Sequence, residues 1–223
     1  MNVRQPKKYV AFFDFDNTIT KIDIIDDMLL RFSKDDKWKA LEEKWVCGQI
    51  GSRECLDGQI RGIRITKKRL DKYLLTIKLD PYFKRLKKFL DSRSIKTIIL
   101  SDDFDYILKR ILRNSGISNI KIYSNKLRIA GDRLMPEFPF TDKDCPRCGH
   151  CKEKNIKMLA NVDKAPSVIY YIGDGLSDVC PAKYADMVFA KGYLLKYLKK
   201  ERLSYIPFKG LKDVYKYFKR SLS

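Results

Sequence analysis

No stretch of this sequence approaches the ~18 consecutive apolar residues of a membrane-spanning helix. No apolar signal core follows the polar, basic start Met1–Lys8, so a secretory leader is not expected either. Internal repeats and low-complexity linkers are absent, as are recognition-helix, zinc-finger and RNA-binding motifs. The six cysteines lack the even spacing of a secreted disulfide framework: three cluster at Cys145, Cys148 and Cys151, and the others are dispersed. A cytoplasmic protein without a membrane partner is therefore expected. Acid is scarce relative to base, with 47 Lys+Arg against 28 Asp+Glu and a net charge of +19. Such a surface attracts anions: phosphate esters, nucleic acid or acidic headgroups. The basic residues are spread along the chain and form no tail, which favours a simply solvated surface. With 223 residues, 44% of them hydrophobic, the chain can build one α/β core with a small insert.

What is present is a set of short apolar runs that end in polar residues. Tyr9–Phe13 reads as a buried parallel strand ending at Asp14. Ile95–Leu100 is a second, ending at Ser101-Asp102, and Ser167–Ile172 a third, ending at Gly173-Asp174. Between the first two, residues 22–90 read as helical: Asp23 caps a helix with Ile25, Met28 and Phe32, and Trp38, Leu41 and Trp45 share a face of the next. Asp80-Pro81 reads as a cap with proline at the first helical position. Ile120–Pro139 alternates and carries Ser124-Asn125 and Ala130-Gly131-Asp132, the pattern of hairpins. Met187–Ala190 is a further strand and Lys212–Lys219 a last helix. The order is strand, helical insert, then alternating helices and strands. It predicts a parallel α/β sheet covered on both faces.

If the three strands are neighbours, Asp14, Ser101 and Asp174 meet at one sheet edge, where open α/β sheets place their sites. Asp14, Asp16 and Asp174 would then crowd together, and like charges so close need a cation. Oxygen-only ligands favour a hard ion such as Mg2+. Taken singly, each acid could instead be a helix cap or a loop carboxylate. That reading is poor for a strand-end acid after an apolar run.

The motifs resemble those of the haloacid dehalogenase superfamily, phosphatase subfamily IB. Asp14-Phe15-Asp16-Asn17-Thr18 matches its first motif, Ser101 its second, Lys152 its third, and Gly173-Asp174-Gly175-Leu176-Ser177-Asp178 its fourth. The resemblance implies a three-layer Rossmann-like core (1–20 and 85–223) with a small helical C1-type cap at 21–84. It implies a phosphomonoester hydrolase in which Asp14 attacks phosphorus and forms an aspartyl-phosphate. Asp16 would serve as general acid and base, while Ser101 and Lys152 hold the phosphoryl oxygens. Mg2+ would be held by Asp14, the Asp16 carbonyl and Asp174, with Asp178 behind. Lys154 and Lys157 stand close enough to rival Lys152 for the third motif.

The insert is similar to that of the phosphoserine-phosphatase-like subgroup, which implies that Asp23 faces the substrate. Gly48–Cys55, Cys148–Lys152 and Gly173–Pro181 are similar to stretches of the methionine-salvage and phosphoethanolamine/phosphocholine phosphatases. Gln59 stands where phosphoserine phosphatases carry a cap arginine, and Asp102-Asp103 follow Ser101 where a small glycine is usual. Asp102 joins Asp23, Ser101 and Lys152 as a substrate-facing candidate with its role open. Cys145, Cys148 and Cys151, with His150 or Cys180 as a fourth ligand, could supply Zn2+. A tight loop that positions Lys152, its small thiols buried, is the reading placed ahead of zinc. The expected partner is a small phosphorylated metabolite. The net charge keeps open the alternative of a nucleic-acid-binding or nucleic-acid-end-processing phosphatase.

Overall fold

The computed structural model describes residues 8–145, 147–161 and 167–222. The expectations for Met1–Lys7 and for Pro146 lie outside the described residues. Strand β1 (Lys8–Phe13) is central in a seven-stranded sheet of order β4-β3-β2-β1-β5-β6-β7. Its partners are β2 (Ile95–Phe104) and β5 (Ser167–Gly173), both parallel to it. Beyond β2 lie β3 (Lys121–Ala130) and β4 (Arg133–Glu137). On the other side lie β6 (Met187–Ala190) and the short β7 (Ile206–Pro207). Among the described strands only β4 runs antiparallel, returning from β3 through a turn in which Gly131 has φ +63.

The period of two along each central strand sorts side chains into two cores. Ala11, Phe13, Ile95, Ile99, Tyr170 and Ile172 face one core. Val10, Phe12, Ile98, Leu100, Ile169 and Tyr171 face the other. Because both faces are covered, these strands read as unbroken apolar runs and not as alternation. Helices α5 (Phe83–Ser92), α6 (Asp105–Asn114) and α10 (Leu211–Ser221) contribute Leu86, Ile111 and Val214 to the first core. Helices α7 (Lys152–Asn161), α8 (Val179–Ala182) and α9 (Gly192–Lys200) contribute Ile156, Val179 and Leu194 to the second. The result is a three-layer α/β fold.

Four helices are inserted between β1 and α5: α1 (Ile24–Phe32), α2 (Lys37–Val46), α3 (Ser52–Gly62) and α4 (Lys67–Leu74). The outgoing and returning chain pair at Thr20 and Leu79. Ile24, Met28, Ile60 and Leu74 of the insert join the same apolar cluster as Phe13 and Leu108. Trp38, Leu41 and Trp45 are only half-buried on α2.

Three local expectations need correction. Helix α5 starts at Phe83, not at Pro81, because the Asp80 carboxylate accepts from Tyr82 N at 2.8 Å and closes a turn first. Ser124 and Asn125 are not turn residues but buried positions within β3. Strand β2 does not stop at Leu100; it continues to Phe104, with a register shift against β3 between Ser101 and Phe104.

Candidate active site

Strands β1, β2 and β5 end side by side, and the order of connections reverses at β1. Ligand crevices of open α/β sheets form at such a switch point. Asp14 and Asp174 follow the ends of β1 and β5, Ser101 stands where β2 shifts register, and the three line one cavity with Asp16, Asp23, Asp102, Asp103 and Lys152. Its volume, about 150 Å3, lies below the ~300–1,000 Å3 of drug-sized ligand sites. It is large enough for a small phosphate ester.

Lys152 opens helix α7 and points into the site. Its Nζ donates to Asp14 Oδ1 at 2.7 Å, to Asp178 Oδ1 at 2.8 Å and to Ser177 Oγ at 3.0 Å. Lys154 and Lys157 pair at the surface with Asp142 and Glu153. The helical period turns them away from the cavity. Burial alone would lower the Lys152 ammonium, but the Asp14 and Asp178 carboxylates reverse that and hold it well above its usual range. Burial, then the Asp178 charge, pushes Asp14 upward. Asp174 is pushed up to about 6 by burial and by Asp178. Asp16, with a carboxylate that accepts from Ile24 N at 3.2 Å, is pushed well up by burial and by Asp103 and Asp23.

Asp178 is fully engaged by protein donors. Lys152 and the Tyr171 hydroxyl (2.6 Å) share Oδ1, and the backbone N–H groups of Asp174 and Gly175 (both 2.9 Å) share Oδ2. Thr18 Oγ1 donates to Asp174 Oδ1 at 3.1 Å. Oxygens of Asp14, Asp174 and Asp178 lie within 4.8 Å of one another, so they could share one metal ion. All donors there are oxygens and the acids repel one another, which fits a hard divalent cation such as Mg2+. The Asp16 side chain stands outside this trio.

The Cys145–Cys151 loop ties the insert to the sheet. The Arg147 guanidinium donates to Gly48 O and to Ile50 O (3.0 Å), and Gly149 N donates to Ser52 Oγ at 3.0 Å. His150 Nδ1 donates to Ser101 O at 2.7 Å, while Nε2 accepts from Asn155 Nδ2 at 2.8 Å. Both ring nitrogens are thus taken, and His150 cannot serve as the fourth zinc ligand. Cys145 and Cys148 sulfurs lie 3.3 Å apart. Among the described residues the acidic trio alone, and not the thiols, converges as a group of three potential metal ligands.

Asp102 and Asp103 occupy the irregular end of β2, where its register against β3 shifts, and both line the cavity. Asn125 Nδ2 donates to Asp102 O at 2.6 Å, and Asp103 N donates to Ser101 Oγ at 3.1 Å. Asp23 accepts from Asp26 N at 3.0 Å as the cap of α1 and also lines the cavity. Sequence reasoning missed Tyr171 and Asn125, and it considered His150 only as a zinc ligand. Tyr171 left a signal: a tyrosine inside a buried strand needs a partner for its hydroxyl.

Residues 9–206 match the family model described as Putative Phosphatase. The 2-hydroxy-3-keto-5-methylthiopentenyl-1-phosphate phosphatase of Brevibacillus brevis is 28% identical over 212 residues, covering 93% of this chain and 94% of that protein. Pdp3-interacting factor 1 of Schizosaccharomyces pombe is 28% identical over 222 residues, covering 95% of each. Among solved structures, a phospho-aspartyl intermediate analogue of phosphoserine phosphatase superposes with TM-score 0.74 at 19% identity, over 95% of this chain and 99% of that one. At that identity the likeness concerns the fold alone. The match over most of the chain carries the assignment: with a fold of the haloacid dehalogenase kind, this protein belongs to the putative phosphatase family and is a phosphomonoester hydrolase.

Proposed function

We propose that the chain hydrolyses a small phosphorylated metabolite through an aspartyl-phosphate on Asp14, with Mg2+ as cofactor. The observation that carries this reading is the pairing of Asp14 with the buried Lys152 ammonium at 2.7 Å, while Asp16, two residues on, is pushed well up toward its protonated form. Burial pushes both acids of the loop upward, but their partners differ: Asp14 faces the Lys152 ammonium, whereas Asp16 accepts from the Ile24 N–H and faces the charges of Asp103 and Asp23.

In the forward step an Asp14 oxygen attacks phosphorus and the ester P–O bond breaks. The Asp16 proton passes to the departing alkoxide. In the second step the Asp16 carboxylate takes a proton from water. The water oxygen attacks phosphorus, and Asp14 leaves as a carboxylate with release of phosphate. Lys152 and Ser101 hold the phosphoryl oxygens. An arriving oxygen can replace Ser177, the longest of the three Lys152 contacts. Bound by Asp14, Asp174 and the Asp16 carbonyl, Mg2+ would supply neutralisation of the phosphoryl charge. Asp178 positions Lys152 and the Asp174 loop through its four accepted hydrogen bonds.

The inserted helices 24–74 act as a cap that excludes water and carries the choice of leaving group. Among the described residues, no helix is long and apolar enough to cross a membrane. A small phosphorylated metabolite, of the kind the curated relatives' names describe, fits these features. The test is Mg2+-dependent phosphate release from p-nitrophenyl phosphate, compared with Asp14→Asn. Loss of activity in the variant is expected, and full activity would overturn the mechanism.

A further inference from the structure

Ser101 and Lys152, the two groups assigned above to the phosphoryl oxygens, belong to different elements, β2 and α7. The His150 ring joins them. It is buried and stacks on Phe140, with ring centroids 5.2 Å apart. Asn155, also buried, sits in the first turn of α7 and has two hydrogens on Nδ2. One goes to Cys151 O at 3.0 Å and the other to His150 Nε2 at 2.8 Å. Nε2 is therefore the accepting nitrogen. The ring proton must sit on Nδ1, where it meets Ser101 O at 2.7 Å. The His150 carbonyl in turn accepts from Lys152 N at 2.9 Å. A chain of buried hydrogen bonds thus runs from the start of α7 through the imidazole to β2. Burial, then the Lys152 charge, push the imidazole down to about 3, so this link adds no charge beside the acids. Neither His150 nor Asn155 lines the active-site cavity.

We propose that His150, its tautomer set by Asn155, is a positioning residue that fixes the separation of Ser101 from Lys152. It touches no substrate and moves no proton. Strand end and helix start grip the rigid ring from two sides, so they cannot part without leaving buried polar groups unpaired. A displacement of about 1 Å at a reacting centre costs up to ~10²-fold in rate. The link therefore governs how well an oxyanion fits between the Ser101 hydroxyl and the Lys152 ammonium. This inference rests on the phosphatase reading above.

The test separates the hydrogen bond from the ring. An asparagine amide nitrogen stands as far along the side chain as Nδ1 does, so His150→Asn keeps a donor for Ser101 O and loses the stack on Phe140. His150→Phe keeps the stack and loses the donor. With p-nitrophenyl phosphate and Mg2+, kcat is expected to fall about threefold in His150→Asn and about thirtyfold in His150→Phe, the range for a buried acceptor stripped of its donor, with KM changed less. A role in packing alone gives the opposite order. Asn155→Leu leaves the ring in place but frees its tautomer, and should fall between the two. If His150→Phe does not fold, Asn155→Leu must still be slower than His150→Asn. Tungstate, a tetrahedral oxyanion, is expected to bind in the same order by titration calorimetry in Mg2+, without turnover. A kcat in His150→Phe or Asn155→Leu at or above that of His150→Asn overturns the inference, as does tungstate affinity equal in wild type and these variants. Failure of the phosphatase reading is separate: the wild type then shows no Mg2+-dependent release from p-nitrophenyl phosphate, and the tungstate ranking alone decides the positioning role.

Discussion

The ammonium of Lys152 lies 2.7 Å from Asp14 Oδ1 and 2.8 Å from Asp178 Oδ1, with both partners buried. One cation thus satisfies acids from the segments that follow two different strands. Removing it leaves two buried carboxylates without a counter-ion, a loss of ~3–5 kcal/mol where such pairs have been broken. Lys152→Met is expected to lower kcat/KM by ~10²–10³. Urea unfolding should show a greater loss of stability at high pH than at low pH, because protonation relieves the orphaned acids. Equal losses at both would contradict the pairing.

The metal-free protein should become less stable as pH rises. Asp102 and Asp174 are pushed up to about 6 and Asp23 to about 7, chiefly by burial, from an ordinary value of 3.8. Between the two values the folded chain binds more protons than the unfolded chain, so stability falls with rising pH. Carboxyls held low, such as Asp27 and Asp213, act in the opposite sense, below that window. Thermal melts in chelator should therefore fall across it. Added Mg2+ should raise the melting temperature more at about pH 8 than at about pH 5, since only ionised acids bind it. A larger Mg2+ effect at the acid end would contradict this account.

His150 is the only histidine in the chain, so its imidazole can be followed alone by NMR. Burial and the nearby Lys152 charge push it down to about 3, and it stays neutral with Nδ1–H on Ser101 O. Its ring shifts should be flat from neutral pH down to about pH 4.5. A midpoint near 6.5 would show that the ring is not locked between Ser101 and Asn155.

Gly51 has no room for a side chain. A Cβ there would lie 2.6 Å from Arg147 Cα and 2.7 Å from its carbonyl carbon. Gly51→Ala must push the insert away from the 147–151 loop. It should cost ~1–3 kcal/mol in chemical denaturation. Gly131→Ala is the comparison for a glycine at positive φ with nothing within 4 Å. A neutral Gly51→Ala would contradict the tight contact.

The thiol cluster should not hold stoichiometric zinc. Cys145 and Cys148 are close, but among the described residues neither Cys151 nor Cys180 joins them in a convergent group of three potential ligands, and His150 is already bonded at both nitrogens. Elemental analysis of protein purified without chelator checks this, and one zinc per chain would contradict it.

How far the sequence could be read depends on whether the signal was local. The strands carrying Asp14, Ser101 and Asp174 were legible because burial on both faces leaves an unbroken apolar run before each polar end. The start of α5 was misplaced because proline at the first helical position and proline in a turn look alike until the Asp80 carboxylate is seen closing the turn. The Asp102-Asp103 bulge and the burial of Ser124-Asn125 depend on pairing between β2 and β3, which no local pattern encodes. Lys152 could be told from Lys154 and Lys157 only once the first turn of α7 was oriented.

The central claim is that Asp14 carries the phosphoryl group. Acid-quenched turnover of p-nitrophenyl phosphate with Mg2+, followed by borohydride reduction and peptide mass mapping, tests it directly. The account predicts conversion of Asp14 to homoserine only when substrate and Mg2+ are both present. Reduction at another residue, or an unmodified Asp14 during active turnover, would contradict it.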